Sequence, residues 1–298
     1  MPARVTQGKL NIQFMRNLNK NLTRMDNLQN QMSSGMKINK PSDDPVGITY
    51  GLRYRSELSA NEQYTRNVDM ANSWLSFTDS VLNQAGEVFQ RLRELTVNAS
   101  NGTNPDTAME AIKSEVKELR GQLLDIGNSK MNGKYIFNGQ YIDKAPYTDG
   151  SAASDPTDPY SIEFEVGASV KMPVNISGNA VFGNPDESDN AFKVFDDLIG
   201  ELEANNFNGV SAMLNRIDQR VDKFLSVRAD IGARVNRVEL VENRLGDLGI
   251  NLETLQSKVE DADMADILTK LKMDENVYQA SLSVGSRLIR PSLIDFLR

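Results

Sequence analysis

The sequence predicts a mainly α fold with a β insert: an elongated, discontinuous helical rod of antiparallel N- and C-terminal helices carrying a small β domain. Three observations predict it. Apolar residues recur at alternating spacings of three and four in four separate segments, which keeps them on one seam of a helix. Between Gly133 and Gly183 that period gives way to alternation by two and to Asn-Gly turns. Composition is also lean for one thick core, with 39% apolar and 7% aromatic residues over 298 positions.

The first helical segment places Leu18, Leu22, Met25, Leu28 and Met32 on its apolar side, after Leu10 and Phe14. It runs into MSSGMKINKPSDDPVGI, residues 32–48. There Gly35 tolerates a positive φ and ends the helix, Pro41 stops its extension, and Asp44-Pro45 reads as an N-cap followed by proline at the first helical position. Asp43 and Asp44 resemble a carboxylate dyad or half a metal site, but the spacing of Gly35, Pro41, Asp43, Asp44 and Pro45 favours an inter-domain corner.

The second segment alternates without a break through Val68, Ala71, Leu75, Thr78, Leu82, Ala85, Phe89, Leu92, Thr96 and Ala99. The third, Ile112, Val116, Leu119, Leu123 and Ile126, follows Asn104-Pro105, read as an N-cap with proline at the first helical position. NGKYIFNG, residues 132–139, sets four strand-favouring residues between two Asn-Gly dipeptides, the signal of a type I′ hairpin turn. YSIEFEV then alternates Tyr160, Ile162, Phe164 and Val166 as a half-exposed strand does. Between them, residues 144–159 are polar and turn-rich, which predicts a surface loop.

Helices resume from Asp189, and the fourth segment is the longest: Phe224, Val227, Ile231, Arg234, Val238, Val241, Leu245, Leu248, Leu252, Leu255 and Val259. Arg234 is its one exception. The domain organisation that follows is terminal assembly helices at 1–40 and 264–298, a helical rod at 41–131 and 189–263, and a small β domain at 132–188. The narrow apolar stripes of the two tips predict that they stay disordered in the free subunit and fold on assembly.

Absences restrict the chemistry. With no His and no Cys, imidazole-based catalytic triads, zinc motifs, thiolate nucleophiles and disulfides are all excluded. The net charge of −8 gives no global attraction to nucleic acid. No apolar run is long enough to span a bilayer, and no secretory signal pattern is seen at the start. Residues 1–40 carry seven basic side chains against Asp26 alone and mimic an organellar transit peptide.

Two further candidates read as structure. GNSKMNGKY, from Gly127, lacks the second-position glycine and terminal hydroxyl of a phosphate-binding loop. Asp186, Glu187 and Asp189 lack the spacing of a calcium loop and read as a solvated acidic turn, as Glu260, Asp261, Asp263 and Asp266 read as a solvated helix face.

Several motifs together resemble the flagellin superfamily of bacterial flagella. MSSGMKINKPSDDPVGI is similar to its LSSGxxIN segment followed by Asp-Asp, GARVNRVE at 232–239 to its GARxNR segment, and EDADMADILTKLK from Glu260 to its DADMA motif. KPSDDP, NGKYIFNG (as GxYxFxG) and RVTQG at 4–8 resemble the branch at the hook–filament junction more than filament subunits. Pro2 and Ala3 before Arg4, and Lys9 where Met is usual, depart from that pattern.

The resemblance implies a non-enzymatic structural adaptor without cofactor or metal, extracellular on the flagellum and exported by the flagellar type III apparatus. The implied partners are the hook-side junction protein (hook-associated protein 1), flagellin, neighbouring copies of the chain and an export chaperone, with no nucleic acid and no membrane insertion. It also implies an inner tube of terminal helices and an outward-facing β domain. The expected assembly residues are Leu18, Leu22, Met25 and Met32, with Leu288, Ile289, Leu293 and Phe296 opposite. The alternatives are a minor flagellin and, from another class, a secreted adhesin-like module using the β insert.

Overall fold

A computed structural model of the chain describes residues 7–101 and 104–289. Among them the order is α1 (Gln7–Ser34), α2 (Pro45–Ala99), α3 (Asp106–Gly127), β1 (Lys130–Met131), β2 (Lys134–Tyr135), β3 (Glu163–Gly167), β4 (Val170–Pro173), α4 (Gly178–Phe182), α5 (Ala191–Glu203), α6 (Phe207–Glu260) and α7 (Met264–Ile289). The chain is mainly α with a β insert. It divides into two compact units, Met1–Ala60 with Leu248–Arg298, and Asn61–Asp247. Both boundaries fall inside long helices, since α2 and α6 each continue for more than fifty residues without an internal proline.

In the unit of residues 61–247, all ten seam residues read from the spacing of α2, Val68 to Ala99, are buried. On α6 the seam is narrower. Ile217, Phe224, Ile231, Val238 and Leu245 are buried at strict heptad spacing, while Val227, Arg234 and Val241 between them are half-buried. The two seams meet at Phe89 and Phe224, whose rings pack edge to face at 5.3 Å, and at Asn61, whose amide donates to the Leu245 carbonyl at 3.0 Å. Arg234 reaches out of the seam to donate to the Asn175 carbonyl at 3.1 Å, which accounts for a cation in an apolar register.

Helix α3 begins one residue later than its spacing predicts: Pro105 is the N-cap residue, with φ −71° and ψ 156°. Asn104 instead turns its amide back to the Asn98 carbonyl. On α3, Ile112, Val116, Leu123 and Ile126 are buried; so are Phe192, Phe195, Leu198 and Leu202 of α5.

β1 and β2 form an antiparallel hairpin closed by Asn132 and Gly133, with φ of 51° and 80°. Two successive positive φ angles are what a type I′ turn demands. Only Lys134 and Tyr135 of KYIF are strand, however. Ile136 and Phe137 turn inward instead and are almost wholly buried. β3 and β4 form a second hairpin that pairs Phe164 with Met172.

The small β domain does not stand apart from the helices. Ile136, Phe137, Tyr147, Val166, Met172 and Phe182 belong to the same apolar core as the seams of α2, α3, α5 and α6. Nor is 144–159 merely a surface loop. Asn128 accepts from the Tyr147 backbone N–H at 3.1 Å and donates to its carbonyl at 2.9 Å, which carries the Tyr147 ring in against Phe182 and Phe192. The stretch that mimics a phosphate loop is thus the anchor of this insertion, and Gly127 is small because the Tyr147 ring lies over it.

Candidate functional site

The corner after α1 lies in the unit that contains both chain ends. Gly35 takes φ 70° and donates to the Gln31 carbonyl at 2.9 Å, so the glycine itself ends α1 at Ser34. Pro41 is not the stop; it opens a separate turn over residues 41–43. Asp43 holds that turn by accepting from the backbone N–H groups of Asn39 and Lys40 at 3.1 and 2.9 Å. Asp44 accepts from those of Val46 and Gly47 at 3.1 and 2.9 Å and caps α2, with Pro45 as its first residue. Both carboxylates are occupied by backbone donors. Among the described residues no cluster suits a metal ion.

The same corner is tied to the end of α6. Met36 forms an antiparallel bridge with Asp261, Lys37 N–H donates to the Glu260 carbonyl at 2.6 Å, and Ala262 N–H donates to the Gly35 carbonyl at 3.0 Å. The expectation of a solvated acidic face fails here at Glu260. Its side chain is 4% exposed and receives Arg55 Nη2 at 2.8 Å and Gln256 Nε2 at 2.9 Å. Gly51 leaves the room for that carboxylate, since a Cβ there would collide with Glu260 Oε1. Asp263 caps α7 by accepting from Ala265 and Asp266 N–H. Motifs distant in sequence, SSGMK and EDADMA, therefore make one joint.

Beyond the joint, α1 and α7 pair antiparallel. Leu28 meets Ile267 and Leu271 in a small core flanked by Met25 and Met32, Arg24 reaches Asp274 at 3.1 Å, and Gly285 lies against the Phe14 ring. The seam on α1 runs Phe14, Leu18, Asn21, Met25, Leu28, Met32, alternating strictly by four and three. Leu22 is off this seam and 41% exposed; reading it as a seam residue overlooked buried Asn21. Leu18, Met25 and Met32 are half-buried against the chain's own core or groove. Leu288 and Ile289 lie at the end of α7, where side chains are outside the described residues, as are Leu293 and Phe296.

Sequence spacing alone did not find what this pair leaves uncovered. Ile12, Met15 and Leu22 are exposed on α1, and Met264, Leu268, Met273, Val277, Leu282 and Val284 on α7. On α7 the exposed Met273, Val277 and Val284 lie at spacings of four and seven, which makes a second apolar strip beside the buried seam. A groove of about 310 Å³ opens among Phe14, Leu18, Val277, Ala280 and Val284. Isolated exposed apolar residues are ordinary on proteins, but contiguous strips mark contact surfaces.

The acidic turn of the other unit is only partly solvated: Asp186 is exposed and Glu187 half-buried. Asp189 is buried, and with Glu187 it holds Arg220, itself 2% exposed, at 2.9 and 2.6 Å. Lys223 closes the cluster at 3.0 Å from both carboxylates. The Asn184 amide, reinforced by Lys223 and Arg220, holds the Glu187 carboxyl down at about 2. All four groups are matched within the cluster, which makes it a clasp and not a reaction centre.

Two family models match the chain. The bacterial flagellin N-terminal helical region matches residues 7–141, and the bacterial flagellin C-terminal helical region matches 214–297. The chain is 28% identical to flagellar hook-associated protein 3 of Escherichia coli, covering 84% of this chain and 86% of that protein. It is 27% identical to flagellin of Bacillus subtilis, covering 84% of each. The fold is similar to the solved flagellar hook-associated protein 3 of Legionella pneumophila, with a TM-score of 0.63 at 18% identity, over 69% of this chain and 98% of that one.

Proposed function

The chain belongs to the bacterial flagellin family, and from that premise we infer that it is the structural adaptor at the hook–filament junction, in the place taken by hook-associated protein 3. It is a structural component of the flagellum, not an enzyme. Its partners are the hook-side junction protein, flagellin and neighbouring copies of itself, with an export chaperone shielding the tips before passage through the flagellar type III apparatus.

The observation that carries the reading is the α1–α7 pair, which buries one seam and leaves apolar strips exposed on both helices. A free chain gains nothing from those strips, whereas stacked copies bury them. We propose coupled folding and assembly: the tips travel unpaired, then pair and dock against neighbours in a heterologous helical arrangement. Tips that resist protease in the dilute free chain would count against this order of events. The absence of cysteine suits such a chain, since no disulfide forms ahead of passage.

Deleting the gene tests the placement. The expected result is hooks without filaments and flagellin released into the medium. Intact filaments would instead favour a minor flagellin.

A further inference from the structure

Among the described residues, the buried side chains of the α1–α7 seam are apolar except at one level. There Asn21, 9% exposed, accepts from Arg24 Nη2 at 2.8 Å, and Arg24 Nε reaches Asp274, 8% exposed, at 3.1 Å. Met25 and Leu28, with Ile267 and Leu271, pack on one side of this level; Phe14, with Leu18 nearby, lies on the other, against Gly285. We propose that Asn21, Arg24 and Asp274 are the specificity-determining residues of this helix pair, fixing its register and its partner.

The physical argument is that apolar contact is non-directional. Leu, Met and Val strips on two helices pair almost equally well after a slip of one heptad, and the additional exposed strips on α1 and α7 offer wrong partners as well. A polar layer removes that degeneracy. In the native register Arg24, which also holds Asn21 three residues away on α1, reaches Asp274 across the pair, whereas the slip that brings Leu28 opposite Tyr278 sets the Asp274 carboxylate against Leu28 or Met32, and the opposite slip sets buried Asn21 against Leu271 or Ile267. The layer sacrifices some stability for uniqueness, as a single buried polar position does in coiled coils. Most of the Arg24 side chain is exposed, 60%, so the pair closes from the solvent side and can form late, after the helices meet.

The inference adds a register device to the assembly reading, but its test is read within one chain and does not depend on filament growth. The native chain has no cysteine, so pairs can be introduced cleanly. Leu28→Cys with Leu271→Cys reports the native register, and Leu28→Cys with Tyr278→Cys reports a one-heptad slip. Purified full chain is oxidised at a concentration where both tips resist protease, and intrachain cross-links are quantified by mass.

The expected ratio is about tenfold or more in favour of 28–271 in the parent, falling towards about one when Asn21→Leu and Asp274→Leu are added. Arg24→Asp alone should lower the ratio, and Arg24→Asp with Asp274→Arg should restore it. An apolar-layer variant that keeps the parent ratio, a parent that cross-links equally at both positions, or a charge swap that fails to rescue would each overturn the proposal.

Discussion

Arg55 donates to the buried carboxylate of Glu260 from both Nε and Nη2, at 3.0 and 2.8 Å, across a sequence separation of 205 residues. The two partners are unequally placed: Arg55 is 43% exposed and Glu260 4%. Removing the arginine strands a buried charge, whereas removing the acid leaves an arginine that water can reach. Arg55→Met should therefore cost about 2 kcal/mol and Glu260→Gln about half of that. Urea unfolding of both variants checks the order, and equal losses would contradict it.

Gly183 adopts φ 100° and ψ 153°, and a Cβ there would stand 2.5 Å from Arg220 Nη2. That backbone region is essentially reserved for glycine. Gly183→Ala should destabilise by about 3 kcal/mol through strain and displacement of the clasp. Gly121, on the exposed face of α3 with open space around it, makes the internal control. There the same substitution should stabilise by about 0.5–1 kcal/mol, because only chain entropy changes. Thermal melts that move in the same direction for both would defeat this account.

The clasp also sets an acid dependence. Glu187 titrates at about 2 in the folded chain against an ordinary value of 4.5, held down first by the Asn184 amide and then by Lys223 and Arg220, with burial opposing. A folded value below the unfolded one gives stability that is fully present above about 4.5 and is lost as pH falls towards about 2. The melting midpoint should drop through that window, and Glu187→Gln should be less stable at neutral pH with a shallower acid limb. Parallel limbs in a pH series of circular dichroism melts would show that Glu187 does not carry the effect.

The parts of the fold legible in the sequence are those where one side-chain class repeats. Val68 to Ala99 declares the α2 seam because every third or fourth residue is apolar, small or threonine, and Asn132-Gly133 declares its turn through backbone sterics alone. The failures share a cause. Glu260 and Asp189 look like surface residues because their partners, Arg55 and Arg220, satisfy them through geometry that no local window contains; Asn21, whose partner Arg24 is only three residues away, looks like one because the helix pairing that buries it is not local. At Asn21 the consequence was a misplaced seam, since neighbouring Leu22 supplied the expected leucine. The β insert misled in the opposite way: alternation showed strands, but nothing local showed that Phe137 and Tyr147 plug a core built by helices.

That misplaced seam separates two leucines whose roles are now opposite. Leu28 is buried against Ile267 and Leu271, whereas Leu22, six residues earlier, is exposed. Leu28→Ala should destabilise the helix pair by about 2 kcal/mol, the lower end for losing a buried leucine, because the small core around it can relax. Leu22→Asp should leave the stability of the free chain within about 0.5 kcal/mol, as surface changes do. Assembly should reverse the ranking. In a deletion strain, Leu22→Asp should abolish or sharply shorten filaments by placing a carboxylate in the contact between copies, while Leu28→Ala, once folded by its neighbours, should still support growth. Full-length filaments with Leu22→Asp would remove the exposed strip of α1 from the assembly surface, leaving the strips of α7 to carry it.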